Sequence, residues 1–125
     1  MEYHEIFTVD TLREIFPPER SDQFFEALFG DPEEGSFDIR LDFKGAEGRR
    51  LEFELKLLQR PGKCLACNLT YGLPEVFKRH PVVDLKSVAR NIAERAGASL
   101  GSWELGPTRE LSGDCHAIPL TVYME

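Results

Sequence analysis

Two runs in the first half of the chain alternate apolar and charged residues one for one. Phe37, Ile39, Leu41 and Phe43 alternate with Asp38, Arg40, Asp42 and Lys44, and Leu51, Phe53, Leu55 and Leu57 alternate with Glu52, Glu54 and Lys56. Successive strand residues face opposite ways, so a period of two predicts two strands, each burying one face. Gly45-Ala46-Glu47-Gly48 is the expected hairpin loop. Arg60-Pro61-Gly62-Lys63 follows, with the fixed φ of proline and the positive φ of glycine placed for a type II turn. A third strand is then expected from Cys64 to Tyr71, completing a meander. Its outer face would carry Asp38, Arg40, Asp42, Glu52, Glu54 and Lys56 as cross-strand ion pairs in water.

Elsewhere the period is helical. Leu12, Ile15 and Phe16 predict a short helix from Thr11 with Asp10 as N-cap, ended by Pro17-Pro18, because proline lacks the N–H that a helix interior needs. Pro18 or Ser21 opens a second helix with Phe24, Phe25, Leu28 and Phe29 on one stripe, closed by Gly30. Pro74, Val76 and Phe77 suit one short helix that Pro81 interrupts. Leu85, Val88, Ala89, Ile92, Ala93 and Ala96 then form an amphipathic helix capped by Asp84 and closed by Gly97. Trp103 and Leu105 mark a fourth strand. Ile118, Leu120, Val122 and Met124 mark a fifth, expected at an edge because Pro119 cannot donate to a ladder.

These elements add up to one α+β domain spanning residues 1–125, in the order ααβββαββ. The expected form is a five-stranded, mainly antiparallel sheet with an N-terminal helical hairpin and one long amphipathic helix. At 125 residues the chain can bury roughly two thirds of its unfolded surface without a disulfide or metal staple. The six aromatics Tyr3, Phe7, Phe16, Phe24, Phe25 and Phe29 are a heavy load for thirty residues, and any surplus would mark a homodimer or partner surface.

The net charge of −7 opposes non-specific attraction to nucleic acid or anionic lipid, and no apolar run approaches the ~20 residues of a bilayer span. Neither nucleic acid nor membrane is therefore an expected partner. Three cysteines and a first decapeptide without the basic and apolar regions of an export signal point to the reducing cytoplasm. The charge is uneven: residues 59–98 are basic between two acidic flanks. The densest cationic cluster is Lys78, Arg79 and His80, a candidate receiver for a carboxylate or phosphate of a protein partner or small anionic ligand.

Cys64, Cys67, Cys115 and His116 supply enough donors for a Cys3His zinc site, but the spacing argues against it. On a strand Cys64 and Cys67 face opposite ways, as do Cys115 and His116, so ordinary half-buried thiols are the favoured reading. No metal or other cofactor is expected. Redox chemistry would call for a thiolate at a helix N-terminus. No nucleotide-binding, zinc-protease or EF-hand motif is present, and no nucleophile or partner carboxylate is fixed by spacing around His4, His80 or His116. The reading points away from an enzyme and toward a binding or protein-interaction module. A zinc protein, a secretion-chaperone-like dimer and a small-molecule enzyme are the alternatives.

The run Arg-Pro-Gly-Lys-Cys-Leu-Ala-Cys-Asn-Leu-Thr-Tyr-Gly-Leu-Pro-Glu-Val-Phe at 60–77 resembles a small uncharacterised bacterial family, and the likeness implies no activity and no site residue. Independently, the layout is similar to that of type III secretion chaperones, dimers that bind extended effector segments. The doubled N-terminal helix and the missing C-terminal helix depart from that pattern.

Overall fold

The alternating runs form the hairpin they predict. In the computed structural model, which describes residues 3–31, 33, 35–63 and 72–125, β1 (Phe37–Glu47) and β2 (Arg50–Gln59) pair antiparallel from Phe37 opposite Gln59 to Glu47 opposite Arg50. The turn is shorter than expected: β1 runs on through Gly45–Glu47, paired with Glu52, Leu51 and Arg50, and Gly48, at φ +60°, and Arg49 make it. A bulge at Lys44 absorbs the extra residue.

The remaining strands are β3 (Leu100–Leu105), β4 (Arg109–Ser112) and β5 (Cys115–Met124), giving one five-stranded antiparallel sheet in the order β1-β2-β5-β3, with β4 also on β5. Thus β2 takes the C-terminal β5 as its second neighbour rather than the next segment of the chain. The expected strand at 64–71, with Cys64 and Cys67, lies outside the described residues. β4 was not anticipated, since Arg-Glu-Leu-Ser carries no apolar alternation. β5 is interior, which corrects the edge expected from Pro119. Proline is tolerated because its carbonyl accepts from Gly106 N–H at 2.9 Å, so its nitrogen looks toward the gap between β3 and β4.

The helices are α1 (Tyr3–Ile6), α2 (Val9–Ile15), α3 (Glu19–Phe29), α4 (Leu73–Arg79) and α5 (Leu85–Arg95). α2 starts two residues before the expected Thr11, because Thr8 rather than Asp10 is its N-cap and accepts from Thr11 N–H. Asp84 precedes α5 as expected but at φ +46° and without a side-chain capping bond, so it shapes the turn rather than satisfying a helix amide. Gly30 closes α3 at φ +78°, as the sequence implies.

All five pack on the sheet face carrying Ile39, Leu41, Phe53, Leu55, Ile118 and Leu120, and one core results. Phe24 is fully buried against Phe25, Phe77 and His80, with ring centroids 4.8–5.4 Å away. Burial of such a side chain contributes about 1.5–3 kcal/mol. At the other end Phe7 meets Phe43 and Phe53, fixing α1 and α2 against the hairpin. The aromatic surplus is confined to the end of α3, where Leu28 and Phe29 are exposed. The opposite face of the sheet carries the charges.

Candidate functional site

The cationic cluster sits at the end of α4, and two of its three members are already engaged. Lys78 pairs with Glu75 at 3.3 Å. His80 is the C-cap of α4, packs edge-on against Phe24, and its Nδ1 accepts from Val82 N–H at 3.2 Å. The imidazole therefore holds the turn into α5. Arg79 is exposed beside a shallow hollow formed with Glu75, Val76, His80 and Pro81. Arg60, also in the basic segment, bridges Asp22 at 2.7 Å and Asp38 at 3.0 Å and lies over the Phe25 ring. It ties α3 to the hairpin.

Of the four metal-ligand candidates, Cys64 and Cys67 are outside the described residues. Cys115 and His116 are consecutive on β5, opposite Leu58 and Leu57. His116 is buried on the helix side, while Cys115 is half-buried on the charged face, so the two cannot grip one ion. Burial pushes the Cys115 thiol up, against the pull of the nearby Lys56 and Arg40. No group of three or more His, Cys, Asp or Glu side chains able to hold a metal occurs among the described residues.

A larger concavity than the hollow at Arg79 lies elsewhere, a cleft of about 690 Å³ between α2 and β1. One wall is the α2 face made by Val9, Leu12, Arg13 and Phe16, which recur at helical spacing. The other is β1 from Asp38 to Lys44, with Lys56 and Leu58 of β2 below. Sequence reasoning missed it because starting the helix at Thr11 omits Val9. With Thr8 as cap, the 9, 12, 13, 16 stripe is the signal that finds it.

The cleft runs along the outer edge of the sheet, since among the described residues β1 pairs only with β2. Ile39 N–H donates outward to Ser21 Oγ at 2.8 Å, whereas Ser36 C=O accepts inward from Arg60 N–H. By alternation the backbone groups of Leu41 and Phe43 also point outward. Among the described residues nothing bonds to them, although Leu41 is only 3% exposed. A buried N–H and C=O without a partner cost free energy, so this edge is short of one donor and one acceptor per outward residue.

Charge at the rim favours an anion. Arg13, Arg40, Lys44 and Lys56 line the cleft against only Asp38 and Asp42. Asp42 is shared by Arg40 at 2.9 Å and Lys56 at 2.9 Å. Burial alone would raise its pKa, but the hydrogen bonds and charges of those two cations outweigh it and hold the carboxyl below its ordinary value. Lys44 leans on Glu54 at 3.3 Å. Arg13 is exposed and has no carboxylate partner among the described residues.

No family model, no curated protein and no solved structure matches this chain. No helix among the described residues is long and apolar enough to cross a membrane.

Proposed function

We propose that this protein is a cytoplasmic, non-enzymatic interaction module that takes its partner in the cleft between α2 and the free edge of β1. One observation carries the reading: apolar helix side chains, surplus cations and unpartnered backbone groups converge in a single concavity. Ligand sites are commonly apolar clefts with a few converging polar groups, and this is the concavity of that description. The charged side chains that line it are, Arg13 apart, engaged in ion pairs, which supports recognition rather than bond-making. A second reading, an anion held at Arg79, is supported by that side chain's exposure beside the exposed Val76. It rests on one cation where the cleft has four.

Site-specific photocrosslinking separates the two. With a benzophenone side chain in place of Val9, discrete adducts are expected in cells of the producing organism, and few with the probe at Lys86 or Val76. Adducts from position 76 and none from position 9 would move the site to α4.

A further inference from the structure

We infer that the cleft's occupant is an extended polypeptide segment that adds to β1 as a further strand, with apolar and acidic side chains in alternation. This rests on the reading of the cleft as the binding site and adds the chemistry of the ligand. The outward groups of Leu41 and Phe43 belong to residues two apart, roughly 6.6 Å along a strand. An extended backbone presents both a donor and an acceptor at that repeat, whereas a helix spends its own groups internally. Ser21 Oγ, already on Ile39 N–H, marks where the unbonded stretch begins.

The two sides of an added strand meet different surroundings. On the helix side they face Val9, 64% exposed beside the already buried Leu12 and Phe16, and this takes apolar residues. On the other they lie beside Arg40 and Lys44, which already pair with Asp42 and Glu54. With Arg13 unpaired at the rim among the described residues, the cleft lining as a whole has four cations, Arg13, Arg40, Lys44 and Lys56, to two carboxylates, and that side calls for Asp or Glu. Long edge strands invite such pairing unless blunted. β1, at eleven residues, carries no proline, and its one bulge, at Lys44, comes only after Leu41 and Phe43.

The test uses random decapeptides displayed on phage and selected against the full chain at low salt. Enriched peptides should alternate apolar and acidic residues. In a synthetic copy, N-methylation of a central amide facing β1 should weaken binding about tenfold, as expected for one lost hydrogen bond to a desolvated acceptor. Methylation of the next amide, which faces outward, should change it less than about twofold.

Two variants at exposed positions, Val9→Asp and Arg13→Glu, locate the binding, with melting curves confirming that both fold. Peptides indifferent to both variants would overturn the cleft as the binding site, and the strand with it. Peptides lost with Val9→Asp but unaffected by every N-methylation would overturn strand addition and leave the cleft standing. Failure to enrich any alternating sequence would also overturn strand addition. So would a dimer of the chain whose formation competes with the peptides, because the occupant would then be a second copy.

Discussion

The two edges of the sheet are built to opposite plans. On one side β3 and β4, of six and four residues, share β5 between them, each with a register irregularity, and the chain leaves the sheet at Gly106 to pass Pro119. Short, interrupted strands offer little to a further partner. On the other side β1 runs eleven residues with one bulge, at Lys44, its inner face locked into the core and its outer backbone groups at Leu41 and Phe43 unbonded among the described residues. On the proposed reading, recognition is concentrated at the edge that is long and flanked by a helix.

The most damaging way to break this asymmetry is through the aromatic cluster that holds α1 and α2 over the hairpin. Phe53→Ala should cost about 3–5 kcal/mol in denaturant unfolding, because Phe53 is 1% exposed and touches both Phe7 and Phe43. Trp103→Ala at the opposite edge, where the side chain is half-buried, should cost roughly half that or less.

Next in size is the cap on the edge itself. Ser21 is fully buried, and Ser21→Ala leaves the Ile39 N–H without an acceptor, for a loss of about 1–3 kcal/mol. The exposed Ser102→Ala should lie within about 0.5 kcal/mol of wild type. Arg60→Met removes the bridge from the residue after β2 to Asp22 and Asp38, two exposed carboxylates, and should cost about 1 kcal/mol, less at high salt.

The smallest effect is a pH dependence at the cleft. Asp42 titrates below its ordinary 3.8 in the folded chain, so its ionised form favours folding. That contribution is complete above the unfolded pKa and disappears as pH falls through the folded one. The stability gap between wild type and Asp42→Asn should therefore be constant near neutrality and close below about pH 4, as read from urea midpoints at several pH values.

How much of this was legible depended on how local its cause is. The facing of the hairpin strands was readable because Phe37 to Phe43 and Leu51 to Leu57 alternate without exception, whereas the bulge at Lys44 and the shorter turn were not. α5 was readable from one apolar stripe. Sheet order was not, since nothing in the β2 sequence distinguishes a neighbour five residues away from one nearly sixty away. Pro119 misled because a missing donor rules out a ladder bond at one point, not along a strand. The cationic triplet Lys78-Arg79-His80 was visible, but Glu75, Phe24 and Val82 N–H, which occupy two of its members, are matters of tertiary placement. The cleft needs α2 set beside an edge strand, and no window of sequence contains both.

Amide hydrogen exchange in the free chain tests the central claim most directly, residue by residue along β1. Arg40 and Asp42 face β2, and Ile39 is held by Ser21, so these three should exchange slowly. Leu41 and Phe43 should exchange at least about a hundredfold faster than their neighbours, and slow to match them when an alternating peptide is bound. Leu41 and Phe43 amides already as protected as Asp42 in the monomeric chain without ligand would contradict the account, because the edge would then have no place for a partner.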